Sequence, residues 1–152
     1  MTIAGTFVSV MEEGVSAYCR LARDEGEAMP AHRPLYPPLP AYYQDAEFQL
    51  IYFRTDPVVV QAHLPEPLKA DPGGMALVVG LWAPACSYGQ YAETSLRLRC
   101  EFNGRIGFYS SHQYVDNVAV LCAGRERWGG PKEYAEVVFE RHDDSIRTRT
   151  IK

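Results

Sequence analysis

Apolar and polar residues alternate along much of the second half of the chain, a period of two that is typical of half-buried β-strands. In the clearest stretch, Leu96, Leu98 and Cys100 fall on one side and the intervening arginines on the other. Two other stretches are apolar almost throughout, as expected of strands buried on both faces. The predicted strands are, in chain order, Glu47–Arg54, Met75–Trp82, Thr94–Phe102, Ile106–Tyr114, Val118–Ala123, Tyr134–Glu140 and Ile146–Ile151.

Turn and capping residues separate these strands. Asn103-Gly104 is a strong hairpin signal, because both residues tolerate a positive φ. Asp56 can cap a short helix that starts at Pro57 and must end near Leu64, since two prolines follow directly. The pattern therefore predicts a mainly β fold (α+β minor), an antiparallel barrel or sandwich with one or two short helices.

The first 41 residues form a different kind of segment. Five prolines between Met29 and Pro40 predict an extended arm, which either lies on a neighbouring subunit or is loose. Helical spacing near the N-terminus is compatible with a short surface helix that carries Val15, Tyr18 and Ala22. We therefore divide the chain into an N-terminal segment with a proline-rich arm, 1–41, and a β domain, 42–152. The final predicted strand stops without a turn and would leave an unpaired edge, so we expect this domain to be incomplete at its C-terminus.

Composition narrows the functional classes. The 152 residues are 47% hydrophobic and carry a net charge of −4, which suits one domain with a core and favours neither nucleic acid nor an anionic membrane. No apolar run is long enough to cross a bilayer and no signal peptide is evident, so we expect a cytoplasmic protein. The four cysteines form no C-x-x-C pair and the four histidines show no metal-ligand spacing, which predicts free thiols and no metal.

The stretch Gly124–Glu133, G-R-E-R-W-G-G-P-K-E, concentrates charge between two predicted strands. Loops that a rigid scaffold holds in place often carry function. Read alone, Lys132 is a solvated loop lysine. As a nucleophile it would have to lose its proton, because a lysine with a pKa of ~10.4 is free amine in only ~10⁻³ to 10⁻⁴ of molecules at pH 7. Burial or a neighbouring cation would increase that fraction.

This stretch resembles the acetoacetate decarboxylase family, in which G-R-E is followed shortly by P-K-K. Here Gly124-Arg125-Glu126 precedes Pro131-Lys132. The similarity runs from about residue 42 to the end. Other segments that look like the family's are Tyr52–Asp56, Leu64–Leu68, Tyr91–Glu93 and Tyr109–Asn117.

The resemblance implies a cofactor-independent Schiff-base carbon–carbon lyase that decarboxylates a small 3-oxo acid such as acetoacetate. Lys132 would form the imine, and its activation by the surrounding site is the known strategy of acetoacetate decarboxylase. Glu93 matches the family's active-site glutamate and would act as acid and base. Family members continue well beyond position 152. We also expect a homo-oligomer.

Two positions depart from the family pattern. Glu133 stands where the family has a second lysine, and Ala46 where it has an arginine. A unit charge ~6 Å from the amine contributes ~2.8 kcal/mol at a dielectric of ~20, or ~2 pK units, and a carboxylate reverses the favourable sign. Adjacent strand residues point to opposite faces, however, so Glu133 can also face away from Lys132. The alternatives are therefore aldol condensation and dehydration with a 2-oxo acid through the same lysine, or a non-catalytic binding barrel or inactive remnant.

Four more residues are candidates for substrate binding. Arg125 and Arg127 could grip a substrate carboxylate, although a role in holding the loop is equally consistent with their pattern. Tyr91 and His112 lie in or near predicted strands, where such side chains are more often part of the core or the surface than of a site.

Overall fold

A computed structural model of the chain describes residues 34–152. The helix predicted around Val15, Tyr18 and Ala22 lies outside the described residues. Within them the elements are β1 (Tyr43–Gln44), β2 (Glu47–Arg54), α1 (Pro57–Ala62), β3 (Lys69–Ala70), β4 (Met75–Ala83), β5 (Ala85–Cys86), β6 (Tyr91–Phe102), β7 (Arg105–Val115), α2 (Val118–Trp128), β8 (Lys132–Tyr134), β9 (Glu136–Arg141) and β10 (Ile146–Ile151).

Six strands form one sheet in the order β2-β4-β6-β7-β8, with β3 paired to the end of β6. Neighbouring strands are antiparallel except β7 and β8, which run parallel. The hairpin between β6 and β7 turns at Asn103 and Gly104, and both have a positive φ. The predicted mainly β fold with two short helices is confirmed, but over residues 34–152 the sheet is open and not a closed barrel.

The strand predicted at Val118–Ala123 is wrong, because these residues begin helix α2. The side chain of Asn117 accepts the backbone N–H of Val120 and caps the helix, which ends at Gly129 in the left-handed conformation. A six-residue apolar run does not by its pattern distinguish a buried strand from a buried helix. The asparagine before it and the glycine after it are the local signals for a helix. Much of the charged stretch that was interpreted as a loop is therefore helical.

The two helices cover opposite faces of the large sheet. Successive side chains on a strand alternate between faces, and the two helices pack on strand residues of opposite parity. The cluster under α2 contains Ala83, Tyr91, Val115 and Val120. The cluster under α1 contains Val60, Leu64, Ala76, Leu98 and Cys100.

A second, two-stranded sheet of β9 and β10 lies over the face that α1 covers. The hydroxyls of Thr94 and Thr150 are 2.5 Å apart across this contact. Gly80 allows the close approach, since a Cβ at this position would be 2.8 Å from Oγ1 of Thr148. Strand β10 pairs with β9 along its whole length, and within residues 34–152 its other edge is unpaired.

The described part of the proline-rich arm packs on its own chain. Tyr36 is 4% exposed, and its hydroxyl donates to Oε2 of Glu126 at 2.6 Å. The guanidinium of Arg127 lies 4.5 Å above the Tyr36 ring and donates to the carbonyl of Pro37 at 3.0 Å. Tyr36 and Pro37 therefore hold this segment against helix α2 of the same chain.

Strand β2 is an apolar edge. Among residues 34–152 it pairs with β4 alone, and five of its apolar side chains are exposed, some on each face of the sheet: Phe48, Leu50, Ile51, Tyr52 and Phe53. Neither helix of the described residues is long and apolar enough to cross a membrane. Cys86, Cys100 and Cys122 are free thiols, as predicted.

Asn117 links α2 to the segment before β6, so its loss should destabilise the fold. Its Nδ2 donates to the carbonyls of Tyr88 and Gln90 at 3.1 and 3.2 Å, in addition to the cap. We expect Asn117→Ala to lower the free energy of unfolding by about 2–3 kcal/mol, measured by urea denaturation. Asp56→Ala removes only the exposed cap of α1 and should cost about 1 kcal/mol or less. Equal losses in the two variants would contradict this account.

The docking of Tyr36 should make stability depend on alkaline pH. Burial and the hydrogen bond to Glu126 raise the pKa of Tyr36 to about 12, whereas an unfolded tyrosine titrates near ~10. A raised pKa in the folded state contributes stability below pH ~10 that is lost as the pH rises toward ~12. We expect the thermal midpoint of the wild type to fall more steeply across this window than that of Tyr36→Phe, followed by circular dichroism. Parallel pH profiles would show that Tyr36 ionisation is not linked to folding.

Candidate active site

Lys132 and Glu93 meet on one face of the large sheet, although they lie on strands that are not neighbours. Lys132 on β8 pairs in register with Gln113 on β7, and Gln113 stands opposite Ser95 on β6. Glu93 is two residues before Ser95 and so points to the same face. Nζ of Lys132 forms an ion pair with Oε2 of Glu93, and the two side chains are 12% and 10% exposed.

This ion pair is chemically suited to proton exchange. Two charges removed from water are tolerated when they compensate each other at hydrogen-bond distance. A proton that passes from the ammonium to the carboxylate leaves a neutral amine beside a neutral acid. The neutral amine is the form of lysine that attacks a carbonyl, and the neutral acid can protonate the oxygen that must leave.

Gly124 leaves room for the lysine chain. A Cβ at this position, in the last turns of α2, would be 2.4 Å from both Cδ and Cε of Lys132. The side chain of Lys132 therefore runs across the helix backbone toward Glu93 in space that only a glycine provides.

The G-R-E sequence positions the lysine, since each residue has its own contact. Gly124 gives space, and Arg125 donates from Nη1 to the backbone carbonyl of Lys132 at 2.8 Å. Glu126 accepts the hydroxyl of Tyr36 from the arm. The turn between helix and strand is closed by the N–H of Gly130 on the carbonyl of Gly124 at 2.9 Å. A short motif thus fixes the path of the backbone on both sides of the lysine.

A cavity of about 400 Å³ opens beside the ion pair. Its polar groups besides Lys132 and Glu93 come from β7, and its wall on the other side is the turn after α2. The other lining residues are Phe108, Tyr109, Ser110, Gln113, Gly124, Trp128, Gly129, Gly130 and Pro131. Trp128 is 71% exposed at this cavity.

Two of the predicted site residues face away from the cavity. Glu133 is exposed and forms an ion pair with Lys152, which lowers the pKa of the Glu133 carboxyl. His112 is also exposed, and its ring stacks on Tyr114 with centroids 6.4 Å apart. Neither residue lines the cavity of Lys132, so the structure does not place Glu133 where it would tune the amine directly.

The three other candidates have structural contacts. Arg125 and Arg127 bond to the backbone of Lys132 and Pro37, respectively. Tyr91 is buried, and its hydroxyl is 3.4 Å from that of Tyr43. Burial raises the pKa of Tyr91, so this hydroxyl stays protonated.

Sequence reasoning missed Gln113 and Trp128 as members of the site. Gln113 follows His112 in the strand, so the alternation of side chains would have put one of them on each face. Trp128 was read as part of a loop and not as the end of a helix. Among residues 34–152, no three histidine, cysteine or acidic side chains converge in a way that could hold a metal ion.

Comparison with known proteins identifies the family of the chain. The family profile described as acetoacetate decarboxylase matches residues 28–151. The chain belongs to the acetoacetate decarboxylase family. An acetoacetate decarboxylase from Chromobacterium violaceum is 32% identical over 124 residues, which are 82% of this chain and 50% of the relative. One from Ralstonia nicotianae is 34% identical over 119 residues, which are 78% and 48% of the two chains.

Solved structures of other proteins share the fold. Acetoacetate decarboxylase from Legionella pneumophila superposes with a TM-score of 0.73 at 26% identity, over 90% of this chain and 56% of that one. The enduracididine biosynthesis enzyme MppR, in complex with the condensation product of pyruvate and imidazole 4-carboxaldehyde, superposes with a TM-score of 0.65 at 20% identity. That superposition covers 83% of this chain and 52% of MppR, and it shows a common fold alone. The chain thus spans about half the length of its curated relatives.

Substitution of Gly124 should displace the lysine without unfolding the chain. We expect Gly124→Ala to keep the free energy of unfolding within about 1 kcal/mol, because alanine favours a helix by that amount over glycine. Its methyl group must push Cδ and Cε of Lys132 aside, so acetylation of Lys132 by acetic anhydride should rise several-fold, as read by mass spectrometry.

The control for this variant is Gly107→Ala on β7, where nothing lies within 4 Å of the new methyl group. In Gly107→Ala, acetic anhydride should acetylate Lys132 as slowly as in the wild type. An unchanged acetylation rate in Gly124→Ala would contradict the close packing of the lysine on the helix.

Proposed function

We propose that Lys132 forms a Schiff base with a small 3-oxo acid and that this site decarboxylates the bound acid. The observation that carries the proposal is the nearly buried ion pair of Lys132 with Glu93 at the wall of a cavity. The family relation supports the reaction class. Since the chain spans half the length of its relatives, activity in this chain is itself part of the proposal.

The first stage is formation of the imine. Glu93 takes a proton from the ammonium of Lys132, and the lone pair of Nζ attacks the ketone carbon. The carbonyl oxygen receives a proton from Glu93 and becomes the hydroxyl of a carbinolamine. A second hydrogen from Nζ, passed through Glu93, converts this hydroxyl into leaving water. The product is a protonated imine on Nζ, and Glu93 is again a carboxylate.

The second stage is loss of carbon dioxide. The C–C bond to the carboxylate breaks, and its electron pair moves into the protonated imine, which becomes a neutral enamine. Glu93 takes up from the bulk solvent the one proton that the overall reaction consumes, passes it to the enamine carbon and is again a carboxylate. Water then adds to the imine and releases the ketone, and Lys132 returns to its ammonium form beside Glu93.

A second candidate is condensation of a 2-oxo acid with an aldehyde through the same imine. The cavity of about 400 Å³ is larger than acetoacetate needs, and the aromatic rings of Phe108 and Trp128 line it. Such a cavity has room for a second, apolar reactant. MppR, which shares the fold, has been solved with a condensation product of pyruvate.

We also propose that the chain assembles into a homo-oligomer in the cytoplasm. The support for assembly is strand β2, since apolar side chains exposed on an edge strand are usually covered by another protein surface. Sedimentation velocity would measure the assembly, and a monomer at micromolar concentration would contradict it.

Borohydride trapping tests the central proposal. The folded protein is incubated with acetoacetate, and separately with pyruvate, before reduction and measurement of intact mass. We expect an adduct on Lys132 with acetoacetate, and its mass tells whether carbon dioxide left before reduction. Glu93→Gln should lower the yield at least tenfold, since general acid–base groups contribute 10²–10⁴-fold.

Two lysine variants make this test specific. Lys132→Ala should lose the adduct completely. Lys152→Ala removes an exposed lysine that pairs with Glu133 and should trap like the wild type. If the folded wild type gave no adduct with either acid, both reactions would be excluded for this chain, and a non-catalytic binding role would remain. An adduct with pyruvate alone would favour the condensation.

A further inference from the structure

The side-chain oxygen Oε1 of Gln113 is buried and has no hydrogen-bond partner among residues 34–152. Such an atom is uncommon, because a buried acceptor without a donor costs about 1–3 kcal/mol of stability. Gln113 lines the cavity that contains Lys132 and Glu93. A ligand in the cavity that carries an O–H or N–H group can donate the missing hydrogen bond to this acceptor.

The position of this amide is fixed by the backbone around it. Gln113 lies beside Lys132 in the register of β7 and β8, so their side chains emerge next to each other on one face. On its other side the amide rests on the turn after α2, where a Cβ on Gly130 would be 2.6 Å from Oε1. The glycine at this position therefore leaves space for the amide oxygen and keeps it close to the lysine.

We propose that Gln113 contacts the substrate and that its amide oxygen accepts a hydrogen bond from the hydroxyl of the carbinolamine on Lys132. This inference rests on the proposed function. A 3-oxo acid has acceptors but no O–H donor of its own near neutral pH, so it leaves Oε1 unpaired when it first binds. A donor arises only when Nζ attacks the ketone and the carbonyl oxygen takes a proton. Gln113 thus favours the intermediate over the bound substrate, which is how an enzyme lowers a barrier.

The same geometry predicts a binding preference that needs no covalent step. A 3-hydroxy acid carries an O–H at the carbon where the carbinolamine hydroxyl forms, but it cannot react with an amine. A site with an unpaired acceptor discriminates strongly between ligands with and without a matching donor. We therefore expect 3-hydroxybutyrate to bind about tenfold more tightly than butyrate, which has the same carboxylate and chain length.

The test compares these two probes by isothermal titration calorimetry in the wild type and in Gln113→Met. Methionine keeps the length and volume of the side chain but has no amide oxygen. We expect the preference for 3-hydroxybutyrate to vanish in Gln113→Met while the affinity for butyrate stays within about twofold. The yield of trapped acetoacetate at short times should fall about tenfold in the same variant. The control is His112→Gln, the adjacent position on β7 that faces away from the cavity, where both readouts should match the wild type.

Each outcome separates this inference from the proposed function. An adduct on Lys132 in the wild type, together with equal binding of the two probes, would overturn the role of Gln113 and leave the Schiff base intact. A preference for the hydroxy acid without any adduct would leave the hydroxyl contact standing but overturn its place in catalysis. Equal losses of affinity for both probes in Gln113→Met would show that the amide binds the carboxylate, and this would contradict the proposal as well.

Discussion

The site depends on the ion pair between Lys132 and Glu93, because a lysine that lies nearly out of water needs a partner of opposite charge. The pairing requires two strands that are not adjacent to present side chains on one face, and it requires a helix that leaves space for a long side chain. The parallel strand β8 satisfies the first condition, and Gly124 satisfies the second. The hydrogen bonds around the turn after α2 then keep the lysine in place.

Most of the fold could be predicted from local pattern, because alternation and turn residues specify antiparallel strands directly. The hairpin at Asn103-Gly104 and the capped helix after Asp56 were correct for stated physical reasons. The error at Val118–Ala123 came from an apolar run that satisfies both a buried strand and a buried helix. A parallel pairing such as that of β7 with β8 has no local signal, since it depends on a connection that passes through α2.

The site shows the same limit. Lys132 and Glu93 were identified through a resemblance, because no spacing in the sequence reveals that residues 39 positions apart form an ion pair. For Glu133, the face of strand β8 on which its side chain lies decides whether it can act on Lys132. A charge reversal next to a reactive lysine has a large effect only when the two side chains share an environment. Glu133 instead pairs with Lys152 outside the cavity, so the departure from the family's second lysine removes a cation without placing an anion beside the amine.

With Glu133 outside the cavity, the charged side chain that contacts Lys132 is Glu93. Trp128 is exposed at the mouth, while the far edge of the sheet carries the uncovered apolar strand β2. A sheet edge that exposes apolar side chains is a surface that other protein segments usually cover. The relatives that the chain matches are about twice as long as the part it spans. The position of Lys132 beside Glu93 is therefore set within residues 34–152, whereas the access of water to the cavity depends on what covers its exposed side at Trp128.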